Sequence, residues 1–424
     1  MSRLHRIAAS LLLFAALGTR LARAADDQGL VGRLTQAGVT PSLLDEGDAA
    51  ANLAGGEKRG ATYSGNLHVQ LALDGDHLAG LPGWSGWLDV LWIHGGDPSK
   101  FTGDAQGVSN IAAPAALRLY EAWLQYNSPG NRFSILAGRY DLNTEFYQLR
   151  SAALFLNSSF GIGPEFGQSG VAGPSIFPDT SLGVRFAYKP SPDTLLRAAV
   201  LDGAPFDPQN GSPGPFNRRN GLLLIAEAAL LTRPAASDEI FAPRYRIGRG
   251  STPPPYEGKV AVGAWYYTAS FDELGVTNPT ETPVQHRGEG GAYLLLDRVL
   301  YQAADDPKRR VAWFVQLGVA DPRVGRFGTY VGGGLAAFGM LPGRPVDELG
   351  IAAAMARNGA QYVAGQQQAG LPANAAETAI ELSYLAQLAP WLAVQPDVQY
   401  VIHPNTDTRL RDATVAQLRF ELKF

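Results

Sequence analysis

Along most of the chain, apolar and polar residues alternate with a period of two, the pattern of a β-strand whose two faces meet different surroundings. The last stretch, 414–424, is the clearest case. Its apolar residues, such as Leu418 and Phe420, fall on one face, whereas Arg419 and Glu421 fall on the other. Long strands with charge confined to one face, ending in the aromatic Phe424, are typical of a transmembrane barrel with lipid outside and water inside.

The same alternation predicts about fifteen strands downstream of residue 60, and bacterial barrels have an even number with both ends in the periplasm. The remaining candidate strand is 39–54. We therefore expect an all-β fold, a transmembrane antiparallel barrel of about 16 strands of the bacterial outer-membrane type. We also expect a β-bulge at Pro396, because proline cannot donate a hydrogen bond to the ladder.

Connection lengths predict the orientation, because periplasmic turns are short and external loops are long. The segments 127–131, 190–193 and 389–390 are short and fall on the predicted periplasmic side. The segment 232–255 also falls there but is long, so its role stays open. The predicted external segments are 95–114, 141–179, 204–220, 268–289 and 357–375.

The first residues have the features of a secretory signal peptide. Arg3 and Arg6 precede an apolar run, and Ala22, Arg23 and Ala24 form a cleavage site of the A-x-A type. We therefore predict a signal peptide at 1–24 and a single barrel domain at 25–424. The absence of cysteine agrees with an exported protein that does not depend on disulfides.

Composition and motifs argue against several function classes. There are 35 Lys and Arg residues against 39 Asp and Glu residues, so nothing indicates nucleic-acid binding. No hydrolase, zinc-protease, nucleotide or dinucleotide motif occurs, and the six histidines have no ligand spacing. We therefore expect no catalytic residues, no metal site and no cofactor. Neighbouring carboxylates such as Glu377 and Glu381 are interpreted as a wet lumen wall rather than as an acid–base pair.

The predicted lumen face carries both signs of charge, which favours neutral polar solutes. Sugars need acceptors and donors for their hydroxyl groups and aromatic faces for their rings. The wall candidates for sugar contact are Glu121, Trp123, Arg185, Glu381 and Gln399. Each aromatic residue has an alternative role in the lipid girdle or in loop packing.

Five stretches in register over the mature chain resemble a known family. They read GGEKRGATYSGNL at 55–67, RLYEAWL at 118–124, AGRYD at 137–141, FLNSSFG at 155–161 and QPDVQYVIHP at 395–404. In these the chain resembles the carbohydrate-selective porins of the OprB type. The resemblance implies an outer-membrane barrel that passes glucose and related monosaccharides by facilitated diffusion. It also implies external loops that fold inward, with Glu121, Arg139 and the 143–161 loop near the pore.

We accordingly expect the segment 141–161 to enter the barrel and to meet the wall that carries Glu121 and Arg139. Arg139 would donate to sugar hydroxyls and Glu121 would accept, or the two would pair and hold the loop. The loop candidates for sugar contact are Asn143, Phe146, Asn157 and Phe160.

The expected partners are small sugars, outer-membrane lipid, lipopolysaccharide and, through Phe424, the barrel assembly machinery. No nucleic acid is expected, and homo-oligomer formation is left open. The alternative functions are a structural or adhesive barrel with a plugged lumen, a less selective general-diffusion barrel, and an outer-membrane enzyme.

Overall fold

The computed structural model describes residues 29–205, 214–216, 219–233, 256–277, 283–371 and 373–424. The predicted signal peptide at 1–24 and residues 234–255 of the long connection lie outside these ranges. No helix in the described ranges is both long and apolar enough to cross a membrane.

Sixteen antiparallel strands form a closed barrel in which each strand pairs with the next along the chain and β1 pairs with β16. This confirms the even-numbered barrel and the first strand predicted at 39–54. The strands are β1 (Val39–Ala54), β2 (Gly60–Asp74), β3 (Trp84–Gly95), β4 (Ala116–Asn127), β5 (Phe133–Tyr140), β6 (Ser181–Ser191), β7 (Thr194–Asp202), β8 (Leu222–Thr232), β9 (Gly258–Thr277), β10 (Pro283–Gln302), β11 (Arg310–Ala320), β12 (Phe327–Phe338), β13 (Glu348–Asn358), β14 (Ala376–Ala389), β15 (Leu392–Ile402) and β16 (Ala413–Lys423).

The described helices are short, and all but one lie in the connections between strands. The exception precedes β1. The α-helices are Leu30–Gln36, Gly75–Ala79, Ser99–Thr102, Pro164–Gly167 and Ala360–Gln368, and the 3₁₀ turns are Pro129–Asn131, Leu142–Thr144, Ala152–Leu154, Ser158–Phe160 and Pro404–Thr406.

The two faces of the wall differ as the alternation predicts. In β16, Leu418 is 47% exposed on the outer face, whereas Gln417 and Arg419 are buried on the lumen face. In β13, the exposed Ile351 likewise precedes the buried Ala352. The apolar outer face suits lipid, and the polar side chains are collected inside.

The two ends of the barrel differ in the length of their connections. One end, here called the short-turn rim, carries the turns 128–132, 192–193, 303–309 and 390–391, and also the long connection 233–257. The opposite end, the long-loop rim, carries 96–115, 141–180 and 359–375. β1 begins and β16 ends at the short-turn rim, as the predicted orientation with a periplasmic short-turn rim requires.

Two sequence predictions about strands are wrong. The predicted bulge at Pro396 is absent, because Ser383 pairs with Asp397 and Ala386 pairs with Val394 in one unbroken register. The missing N–H of Pro396 therefore interrupts the ladder for a step without inserting an extra residue.

The second error concerns the external loop predicted at 268–289. β9 continues to Thr277 and β10 begins at Pro283, with Ser270 opposite Arg287 and Asp272 opposite Gln285. After Tyr266 the outward row of β9 changes from apolar residues to Thr268, Ser270 and Asp272, while the backbone pairing continues. Alternation of hydrophobicity cannot reveal that part of a strand.

Candidate functional site in the barrel lumen

The long connection between β5 and β6 forms a loop inside the barrel, here called the lumen loop (141–180). Side-chain caps build its first turns: Asn143 N donates to Asp141 Oδ1 (2.8 Å), and Ser159 N donates to Asn157 Oδ1 (3.1 Å). Asn143 Nδ2 then donates to the carbonyl oxygens of Phe146 (3.1 Å) and Gly161 (3.0 Å). Asn143 thereby joins the two ends of the segment 143–161.

Wall carboxylates accept the backbone N–H groups that the lumen loop cannot pair by itself. Glu381 accepts from the amides of Leu156 (2.5 Å) and Asn157 (3.0 Å). Other carboxylates do the same on other strands. Tyr147 N donates to Glu227 (3.1 Å), Ser151 N donates to Asp297 (3.0 Å) and Asp141 N donates to Glu121 (3.0 Å). Because buried amides need partners, these acids fix the path of the loop across the lumen.

Amide side chains of the wall bind the carbonyl groups of the same loop. Gln316 Nε2 donates to the carbonyl of Phe160 (3.0 Å), and Gln395 Nε2 donates to that of Leu154 (2.6 Å). Gln399 accepts from Asn157 Nδ2 (3.1 Å) and donates to the carbonyl of Val108 (2.8 Å). Gln399 therefore connects the lumen loop to the neighbouring loop 96–115.

The loop 96–115 is attached near the junction of β1 and β16. Ser109 Oγ donates to Asp48 (2.6 Å), and Asp48 also accepts from both Nε and Nη2 of Arg419 (2.7 and 2.8 Å). A second contact is made by Glu377, which accepts from the amides of Ala105 (2.8 Å) and Gln106 (2.9 Å). Both long loops are therefore held by buried lumen carboxylates.

Cationic side chains collect on the wall formed by β6 to β9. Arg185 is fully buried and donates to Glu145 (2.7 Å), Gln125 (2.7 Å) and Ser134 (2.8 Å). Lys259 Nζ donates to Glu227 (2.9 Å) and to the carbonyl of Gln148 (3.0 Å). These pairs compensate the charges of a region where an isolated buried ion would be costly.

The aromatic residues of the lumen loop face the wall rather than open space. Phe160 lies against Phe155 (5.0 Å between ring centroids) and Phe314 (5.9 Å), and Phe146 is fully buried. Phe166 stacks on Trp265 at 4.8 Å. Phe146 and Phe160, predicted to contact sugar rings, instead pack the loop onto the barrel, where each buried ring contributes about 2–3 kcal/mol.

Glu165 is a buried loop carboxylate that accepts from the hydroxyl of Tyr147 (2.9 Å). It lies where β11 has a glycine, because a Cβ at Gly318 would fall 1.9 Å from Glu165 Oε1. Burial raises the pKa of Glu165 to about 7, although hydrogen bonds from Tyr147 and from local backbone amides act in the opposite direction. The docked loop therefore favours the neutral form of this acid.

The structure separates the predicted pair Glu121 and Arg139. Glu121 faces the lumen, where its Oε1 accepts from Trp123 Nε1 (3.3 Å), and Trp123 stacks on Trp87 at 6.5 Å. Arg139 pairs with Ala122 and Leu182, which belong to the outer face of the wall, and its Nε donates to Thr180 Oγ1 (2.9 Å). The expectation that both residues line one constriction is therefore wrong.

Of the remaining candidates, Asn143, Asn157, Arg185, Glu381 and Gln399 are all brought together around the lumen loop. Sequence reasoning did not identify Arg150, which forms a two-pronged contact with Glu348 (2.5 and 3.2 Å), or Asp297. The parity of Asp297 in its strand marks it as inward-facing, but no sequence signal indicates which inward acids meet a loop. Within the described ranges, no cluster of His, Asp or Glu side chains suits a metal ion.

Comparisons with known proteins agree with this architecture. A family model for the carbohydrate-selective porins, OprB family, matches residues 58–424. No curated protein matches the chain.

Solved structures share the fold at low sequence identity. The high-pH structure of Pseudomonas putida OprB has a TM-score of 0.77 at 20% identity and covers 93% of this chain and 96% of its own. The low-pH structure of that protein has a TM-score of 0.56 at 16% identity, covering 93% and 95%. The outer-membrane channel DcaP of Acinetobacter baumannii has a TM-score of 0.51 at 13% identity, covering 91% and 97%. The chain belongs to the OprB family of carbohydrate-selective porins and is a barrel of the bacterial outer membrane.

Proposed function

We propose that the protein lets small sugars, glucose and related monosaccharides, diffuse across the outer membrane without altering them chemically. The observation that carries this proposal is the lumen loop. A barrel of sixteen strands is otherwise a wide aqueous channel, and here the loop crosses it, held by acids such as Glu381 and Glu227. Narrowing of this kind forces a solute to exchange water for protein groups, which is how a pore discriminates.

The proposed sugar contacts are those lumen candidates that do not serve only to hold the loop. Glu121 supplies an acceptor and Trp123 an aromatic edge on the wall of β4, and Asn143 is a half-buried amide on the loop. The other predicted residues, Asn157, Arg185, Glu381 and Gln399, would act indirectly by keeping the loop in position. Lipid and lipopolysaccharide would surround the apolar outer face.

The experiment that tests this proposal is swelling of proteoliposomes in isosmotic glucose, arabinitol and sucrose. A narrowed sugar pore predicts fast swelling in glucose and slower swelling in the disaccharide sucrose. Equal rates for all solutes would indicate a general-diffusion barrel.

The close packing of the lumen loop also suits a plugged structural barrel, since Tyr147, Leu154 and Phe166 are fully buried. That alternative predicts no swelling in any sugar, although the inserted protein would be present in the same amount. Measuring heat-modifiable protein in the same vesicles gives that amount.

A further inference from the structure

Two guanidinium groups share one aromatic ring at the short-turn rim. Arg150 of the lumen loop lies over the ring of Phe338 at 4.8 Å from its centroid, and Arg310 lies over the same ring at 4.6 Å. Arg310 is the first residue of β11 and pairs with Phe338, the last residue of β12. Cation–π contacts of this kind hold a guanidinium in one orientation.

The two arginines differ in their partners. Arg150 is neutralised by the two-pronged contact with Glu348. Among the described residues, the side chain of Arg310 has neither a hydrogen bond nor an ion pair. It makes a cation–π contact with the ring of Phe338.

The acids near Arg310 are Glu348, Asp297 and Glu257, and all three are already engaged, Glu257 by Arg233 at 3.0 Å. Besides Glu348, Asp297 accepts from Ser151 N (3.0 Å), Ser151 Oγ (2.7 Å) and the hydroxyl of Tyr256 (3.3 Å). Tyr256 also accepts from the amide of Arg150 (2.9 Å), which fixes the loop at this point. Within the part of the chain that the structure describes, the N–H groups of Arg310 are therefore the donors of this cluster that lack a hydrogen-bond partner.

An oriented guanidinium with unmatched donors suits a planar acceptor with two oxygens. Five N–H donors in a rigid fork match a carboxylate better than a single hydroxyl group. We propose that Arg310 forms a second subsite at the short-turn rim, the exit subsite, which binds the carboxylate of sugar acids. Such solutes keep most hydroxyl groups of the neutral sugars, so the inference rests on the proposed function and extends its substrate class.

The exit subsite is tested by current block in planar bilayers with gluconate and glucose as probes, of which only gluconate carries a carboxylate. In the unaltered protein, gluconate is expected to block more strongly than glucose. Arg310→Met removes the fork, and gluconate affinity should fall about tenfold, the effect of one lost charge-assisted hydrogen bond. Glucose block should change by less than about twofold, because glucose has no carboxylate for the fork.

Two further variants separate the fork from the charge. Arg310→Lys keeps the charge but loses the planar fork, so gluconate block should fall while the ion selectivity stays near that of the unaltered protein. Arg309→Met is the matched control. It removes the same charge one residue earlier, in the exposed turn where Arg309 pairs with Asp305 (2.8 Å), and gluconate block should not change.

Equal gluconate block in the unaltered protein and in Arg310→Met, with both barrels folded by heat modifiability, would overturn the exit subsite. An equal loss of glucose and gluconate block would overturn it as well, because Arg310 would then not recognise the carboxylate. Neither result bears on glucose permeation by the unaltered protein, because swelling of proteoliposomes measures that permeation separately. Absence of glucose swelling together with Arg310-dependent gluconate block would overturn the proposed glucose transport and support the exit subsite.

Discussion

Glu121 and Arg139 lie on opposite faces of the barrel wall. The register brings Ala122 opposite Arg139, so Arg139 shares the outer face with Ala122, whereas Glu121 points into the lumen. Tyr120 and Glu121 are both buried, and the β3–β4 register shifts between Asp89 and Val90, where Asp89 pairs with Glu121 and Val90 with Leu119. An extra residue in one strand exchanges the lumen-facing and outward-facing positions of the residues beyond it.

This relationship gives a prediction for substitutions of the two residues. Glu121→Gln replaces a lumen carboxyl group by an amide and should weaken glucose block of the ion current. Arg139→Ala should leave glucose block within about twofold of the unaltered value, because the register places it on the outer face. Single-channel recordings with added glucose measure both effects. A loss of block in Arg139→Ala as large as in Glu121→Gln would contradict the assignment of faces.

A second prediction concerns the attachment of the lumen loop to Glu381. Glu381→Ala leaves the amides of Leu156 and Asn157 without their acceptor, at a cost of about 1–3 kcal/mol for each unsatisfied group. We expect the loop to detach in part, so conductance should rise and the ratio of glucose to sucrose swelling should fall.

The matched control is Ile380→Ala, which shortens the neighbouring residue on the outer face of the same strand. It should leave conductance and the swelling ratio unchanged. If Glu381→Ala behaves like this control, Glu381 does not hold the loop.

A third prediction concerns pH. The pKa of Glu165 is about 7 in the docked loop against an ordinary value of 4.5, because burial penalises the carboxylate. Docking therefore favours the protonated form. The free energy that keeps the lumen loop docked should therefore fall by roughly a few kcal/mol as pH rises from about 4.5 to about 7. Above pH 7 it should stay level.

Cleavage of the lumen loop by an added protease, followed against pH, measures this effect. Cleavage should be faster at pH 8 than at pH 5, after correction for the protease's own pH profile. Glu165→Gln keeps an acceptor for Tyr147 without a charge, so its cleavage rate should depend less on pH over this window than that of the unaltered protein. A pH dependence as large in Glu165→Gln as in the unaltered protein would assign the effect to other groups.

The strands were predictable because each must satisfy lipid on one side and water on the other. The neighbours Leu418 and Arg419 show both conditions, since Leu418 is exposed on the outer face and Arg419 is buried on the lumen face. The prediction failed in the hairpin of β9 and β10, because the outward row of β9 becomes polar at Ser270 and Asp272 while the backbone pairing continues. The bulge predicted at Pro396 is absent because a missing hydrogen-bond donor does not by itself add a residue to the strand.

The site was less predictable than the barrel. That the loop enters the lumen followed from its length, and inward parity identified Glu381 and Gln399. Whether an inward acid binds solute or a loop amide depends on the path of the loop, which is set by distant contacts such as those of Asp297 with Ser151. The same limit explains Phe146 and Phe160, whose aromatic character suits sugar stacking and core packing equally.

The last prediction concerns insertion of the barrel. Phe424 exchanges backbone hydrogen bonds with Leu43 (2.9 and 3.0 Å), which joins the chain end to β1, and its ring stacks on Trp391 at 6.2 Å. Deleting Phe424 should lower the yield of heat-modifiable, inserted protein, because both the closing contact and the aromatic end are lost. Leu418→Arg places a charge near the middle of the lipid-facing strand at a cost of about 2–4 kcal/mol, with the same expected result. Leu418→Ala is its control and should insert normally, since a smaller apolar residue still suits lipid. Normal insertion of Leu418→Arg would mean that this face of β16 is covered by something other than lipid.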